Sequence, residues 1–183
     1  MVRATMVYAY YSHLTEAQKR IYRRSDRVTS LPFPEAESVR ETVMALAETL
    51  RREDRAEVEA LARRLIGAMT ARFRVTPLQV AILEVRPSSH WGELHGLYTP
   101  AERGKPPRVT LWMRTAKRRQ VVKFKTFLRT LIHELCHHLD YELLRLGDSF
   151  HTEGFYKRES SLLHQVLGDE TAPVAPVTGS RRA

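Results

Sequence analysis

Cysteine is nearly absent from this 183-residue chain, in which Cys136 stands alone. No disulfide can form within the chain, and no cysteine-based zinc finger or ribbon can be built from it. Any metal would have to be held by histidine and carboxylate. Long apolar runs are also missing. Charges interrupt every hydrophobic stretch well before the ~18 residues that a membrane-spanning helix needs, so no membrane association is expected. The opening MVRATMVYAYYSHLTE has neither an apolar h-region nor a small-residue cleavage site. A secretory signal is therefore not expected, and a cytoplasmic location is.

Acids are the other deficit, with 21 Asp and Glu against 30 Lys and Arg and a net charge of +9. Two clusters carry much of the excess: Lys19, Arg20, Arg23, Arg24 and Arg27, and then Lys117, Arg118, Arg119, Lys123 and Lys125. Such a balance favours anionic partners, nucleic acid among them, although a solvated and self-repelling surface satisfies the same composition. The length and the 43% hydrophobic content fit one compact domain with a real core.

Thr15 and Gln18 form a capping-box pair that opens a short helix through about Arg24. The break Ser30-Leu-Pro-Phe-Pro34 precedes a helix from Glu35 to about Arg51, with Val39, Val43, Leu46 and Leu50 on one face. Asp54 and Glu57 cap a further helix, whose Val58, Leu61, Leu65, Met69 and Phe73 share a side. These two helices are expected to pair as an antiparallel hairpin. After Pro77 the texture becomes β, with strands expected at Leu78–Val85, Glu93–Tyr98 and Arg108–Arg114, the last alternating at Val109, Leu111 and Met113. A helix is expected from about Val122 to Leu146, ended by Gly147, and a final one from about Thr152 to Leu167, ended by Gly168. The fold class is α+β.

The chemistry concentrates in His133-Glu134-Leu135-Cys136-His137. Residues four apart on a helix stand one turn above each other, so His133 and His137 can share one cation. Glu134 sits about 100° round the helix, aimed at a water rather than at the ion. Two protein ligands leave a third to be found. The metzincin extension is excluded, because Asp140 and Leu143 stand where it needs glycine and histidine. His151, just past the Gly147 turn, and Glu159, on the following helix, are the two candidates. Cys136 lies on the other side of His133 from Glu134 and reads as a packed small hydrophobe. His138 points more than 100° from His133 and reads as a supporting or surface residue. Asp140, Glu142 and Asp148 are candidates to accept the outer ring N–H of a ligand histidine. Tyr156 is the candidate for oxyanion stabilisation. His90, Trp91 and His95 could border a cleft or simply form a turn.

The stretch HELCHHLDYELLRLGDSFHTEGFYK, His133 to Lys157, resembles the SprT-like zincins, a family that includes the Spartan proteases. Those proteins carry HExxH on one helix, a loop histidine some dozen residues later, and an aromatic four positions on; here these are His151 and Phe155. The resemblance implies a zincin-like domain over 54–168, with a small three-stranded sheet, the HExxH helix and a closing C-terminal helix. Residues 1–53 would then be an N-terminal extension with helices, and 169–183 a disordered tail. It implies one zinc ion on His133, His137 and His151, with Glu134 as general base in a zinc metallopeptidase acting on a protein or peptide. RVTLWMR also resembles the zincin edge strand that holds an extended substrate by backbone pairing, which points to Thr110, Leu111 and Trp112. The competing expectation is a zinc-binding scaffold without activity, or a nucleic-acid-binding module on the same fold.

Overall fold

The computed structural model describes residues 8–89 and 92–168; residues 1–7, His90, Trp91 and the tail 169–183 lie outside the described residues. A short 3-10 turn, Ala9–His13, leads into α1 (Glu16–Asp26). Thr15 caps α1 in the expected box, with the Gln18 N–H donating to its hydroxyl and the Gln18 side chain accepting from the Thr15 N–H. Helices α2 (Ala36–Arg51) and α3 (Arg55–Phe73) follow and pack against each other. Asp54 caps α3 by accepting from the Glu57 N–H at 3.1 Å.

Strands β1 (Gln79–Val85), β4 (Gly96–Thr99) and β5 (Arg108–Arg114) form the main sheet in the order β1-β5-β4. The expected second strand is split: its start pairs as β3 (Gly92–Glu93) with β2 (Ser88–Ser89), and only its end joins the sheet. β5 runs parallel to β1 and antiparallel to β4. This corrects the edge-strand expectation. Thr110 faces Ala81 on one side and Leu97 on the other, and Leu111 faces Ile82 and Gly96, so their backbone groups are spent inside the sheet. Trp112 is paired with Leu83 and buried. The strand that borders open space beside the site is β4.

Helix α4 (Phe124–Glu142) packs against β4 and β5, and α5 (Glu153–Leu167) packs on α4. The end of α4 falls before the expected Leu146. The N–H groups of Leu143 and Leu144 both reach the Leu139 carbonyl, that of Leu146 reaches Asp140, and Arg145 takes a positive φ of 52°. α5 begins where expected, with the Thr152 hydroxyl accepting from the Phe155 N–H, and ends at Gly168 with φ 75°. One continuous core joins all of this: Leu46 and Leu50 of α2, Leu65 of α3, Ile82, Leu111, Leu135 of α4 and Leu162 of α5. α1 and α2 both pack on α5, and α2 contributes Val39, Val43, Leu46 and Leu50 to the common core. No helix among the described residues is long and apolar enough to cross a membrane.

Candidate metal centre

α4 presents two faces. Phe127, Leu128, Leu131, Leu135 and Leu139 enter the core, and the opposite stripe (Thr126, Thr130, His133, Glu134, His137) lines a cleft of ≈ 690 Å³. β4 and Tyr156 supply further walls of that cleft. His151, from the loop between α4 and α5, completes a group of three histidines close enough to hold one metal ion. The Nε2 atoms lie 3.3 Å apart for His133 and His137, 3.0 Å for His133 and His151, and 3.1 Å for His137 and His151. Of the two sequence candidates, His151 therefore joins the pair.

Glu159 takes a different place. Its Oε2 accepts from His133 Nδ1 at 2.9 Å, and its Oε1 accepts from Arg129 at 3.1 Å. His137 is held on the other side: the single hydroxyl proton of Ser149 goes to Asp140 Oδ2 at 2.7 Å, so Ser149 Oγ accepts from His137 Nδ1, also at 2.7 Å. Asp140 is in turn fixed by Arg158, which donates to Oδ1 at 2.6 Å with both side chains fully buried. With their outer nitrogens donating, His133 and His137 turn bare Nε2 atoms toward each other. That arrangement leaves both atoms close enough to bind one metal ion together with His151. Beneath the three rings lies buried Phe155, its centroid 5.0, 4.8 and 5.2 Å from those of His133, His137 and His151.

Burial sets the electrostatics. It holds the His137 ring neutral by lowering its pKa to about 3, with the neighbouring His133 adding in the same direction. His151 is lowered by burial and by His133, and His138 mainly by burial. The Glu134 carboxyl moves upward because it is buried, although the Tyr98 backbone N–H donates to it. Glu134 is packed against Gly96, where a β-carbon would come within 2.5 Å of Oε1. Burial also raises Cys136, which sits in the core as expected and takes no part in the cleft.

His138 is fully buried rather than on the surface. Its Nε2 donates to the Thr76 carbonyl at 2.8 Å, which leaves Nδ1 to accept from the Tyr98 hydroxyl at 3.2 Å. Of the three acids considered as partners for ligand rings, Asp140 acts through Ser149, Glu142 accepts from Thr76, and Asp148 accepts from the Ser149 N–H. Tyr156 lines the cleft, partly exposed, its ring 5.8 Å from that of His151. His95 also lines it. Thr110, Leu111 and Trp112 do not. Sequence reasoning missed Ser149, Gly96, Tyr98 and Arg158. For Arg158 a signal existed, since it occupies a position on the same face of α5 as Phe155, Leu162 and Val166, where a charge needs a buried partner. Comparison of the chain with family models, with curated proteins and with solved structures found no significant match in any of the three.

Proposed function

We propose that this chain is a zinc-dependent metallopeptidase of zincin-like architecture. The observation that carries the reading is the convergence of three Nε2 atoms, two with the proton already committed to the far nitrogen, on the open side of a cleft that also holds a buried glutamate. The size of the triangle suits zinc: bonds of about 2.0–2.1 Å in tetrahedral geometry put ligand nitrogens about 3.3 Å apart. Three imidazoles, with a carboxylate and a carboxylate-backed serine behind two of them, are a donor set that zinc favours. The likeness of His133–Lys157 to the SprT-like zincins supports the same reading.

His133, His137 and His151 would hold the zinc ion, which when bound would supply Lewis acidity to acidify water and polarise a carbonyl. The chain's own residues do the rest. Glu134 takes the proton of the attacking water at its carboxylate and returns it to the leaving amine; its upward-shifted pKa suits both halves of that exchange. Tyr98 holds Glu134 through its backbone N–H. β4 offers an extended peptide the sheet edge that β5 lacks. Tyr156, whose phenol lines the cleft and is shifted further upward by desolvation, would donate to the oxyanion. Glu134→Gln should retain stoichiometric zinc and lose ~100-fold or more of the chelator-sensitive cleavage of an unfolded protein substrate. Unchanged cleavage would remove Glu134 from the mechanism.

One observation favours a second property of the same protein. Lys117, Arg118, Arg119, Lys123 and Lys125 are exposed, and none of them pairs with a carboxylate among the described residues. They run from the loop before α4 into its first turn, and the next cation of that helix, Arg129, lines the cleft. A polyanion such as nucleic acid would bind there with an affinity that falls steeply with salt, and neutralising the five residues would abolish that dependence.

A further inference from the structure

The loop that carries His151 has no regular structure of its own and is held from one side by the segment Tyr8–Val28. Arg24 donates to the carbonyls of Leu144 and Arg145, at 2.7 and 3.4 Å. Ile21 rests on Gly147, where a β-carbon would meet its Cδ1 at 3.4 Å. The rings of Tyr10 and Tyr22 pack on Phe150, with centroids 6.4 and 6.2 Å away. The Tyr10 hydroxyl donates at 3.0 Å to the carbonyl of His151 itself. At the loop's far end, the Gly154 N–H donates to the Asp26 carboxylate at 2.8 Å. The Asp26 backbone passes so close that a β-carbon on Gly154 would fall 2.6 Å from its carbonyl carbon, so only glycine allows this approach. Arg158 then ties the carbonyls of Ser25 and Val28 to Asp140, the group behind Ser149 and His137.

These contacts bear on one stretch, 144–154, from several directions. On its other side the loop has Ser149 bonded to His137 and Asp140. His151 lies outside both flanking helices, so without an external hold its ring would be drawn from the low-stability part of the molecule. Ordering such a loop at the moment of metal binding costs affinity, and ordering it beforehand removes that cost.

We infer that the N-terminal segment Tyr8–Val28 is the brace that positions the third metal ligand, with Tyr10 and Arg24 as positioning residues. The inference rests on the metal site proposed above and assigns a role to a segment that the HExxH pattern leaves without one. It is tested on the full chain carrying Tyr10→Phe, Arg24→Ala, or both, with Val58→Ala in α3 as a control that loosens the core away from the loop. Zinc affinity is read by chelator competition, ligand number by the visible absorption of the cobalt-substituted protein, and folding by the melting temperature of the metal-free form.

The double variant should bind zinc about tenfold more weakly and lose the intense absorption of four-coordinate cobalt, whereas Val58→Ala lowers the melting temperature and leaves both metal readouts in place. Tyr10→Phe removes one hydroxyl and keeps the ring, so it carries the test alone if Arg24→Ala fails to fold. Zinc affinity within about twofold of wild type in the brace variants, or an equal loss in Val58→Ala, would overturn the brace. A wild-type protein that takes up no stoichiometric zinc would instead sink the metal site itself.

Discussion

Gly96 of β4 stands directly against Glu134 of α4: a β-carbon on the glycine would meet Oε1 at 2.5 Å and Cγ at 2.9 Å. The absence of a side chain at one strand position thus fixes where the proposed base can lie. The neighbouring Thr130 methyl, 2.7 Å from the same point, closes the alternative of a small sideways shift. Gly96→Ala should therefore push the Glu134 carboxylate out of place and leave the three histidines alone. The expected result is zinc binding unchanged and kcat lowered by ~10-fold to 100-fold, the cost of about 1 Å of misplacement in a reacting group. Full activity in Gly96→Ala would show that Glu134 is free to move without consequence.

The groups behind the ligands differ in charge, and so should their effects. Glu159 gives His133 Nδ1 a charge-assisted acceptor, whereas Ser149 gives His137 a neutral oxygen backed by Asp140. Removal of either partner is expected to weaken zinc binding by about 10- to 100-fold. Glu159→Ala should be the worse of the two, because it also leaves the Arg129 guanidinium unpaired beside the cation. Chelator competition on Glu159→Ala and Ser149→Ala gives the order directly, and the reverse order would mean that hydrogen-bond direction outweighs charge here.

What could be read from sequence was whatever depends on local geometry. His133 and His137 meet because helical spacing requires it, and the caps at Thr15 and Asp54 are short-range patterns. The rest is tertiary. β5 alternates just as an edge strand would, and nothing within it tells that β1 and β4 flank it on both sides. Gly147 looked like the end of α4, yet the helix stops at Glu142, and the carbonyls of Leu144 and Arg145 are satisfied by Arg24, about 120 residues away in the chain. Glu159 was weighed as a ligand because its distance along the chain suited one. Only the packing of α5 on α4 turns it toward Nδ1 of a histidine instead of toward the point where the three Nε2 atoms meet.

Arg158 and Asp140 form an ion pair at 2.6 Å with neither side chain exposed. Such a pair adds little over an apolar substitute, but removing one member strands a buried charge. Arg158→Met keeps most of the volume and leaves Asp140 unpaired, which is expected to cost about 3–5 kcal/mol in denaturant unfolding. Arg158→Lys should not restore it. One ammonium cannot replace a fork that serves Asp140, the Ser25 carbonyl and hydroxyl, and the Val28 carbonyl together. A loss under about 1 kcal/mol in Arg158→Met would mean that Asp140 is protonated, or solvated, when its partner is gone.

The pH dependence of the metal-free protein follows from His137. Its ring titrates near 6.5 when unfolded and is lowered to about 3 in the folded chain, chiefly by burial. Between those limits the unfolded chain binds the extra proton, so stability is intact above about 6.5 and is lost progressively as pH falls toward 3. His151 and His138 are shifted in the same direction and add to the loss. Glu134, shifted upward, opposes it, because its folded form accepts a proton more readily than the unfolded one. The expected loss between pH 7.5 and 5 is about 1–2 kcal/mol for this ring. Chemical denaturation of the chelator-treated protein across that range measures it, and in His137→Asn the slope should flatten. With zinc bound the fall should be steeper, since protons then compete with the ion for the same nitrogen atoms. A metal-free protein whose stability is flat or rising on acidification would mean that the His137 ring is hydrated enough to carry its charge where it stands.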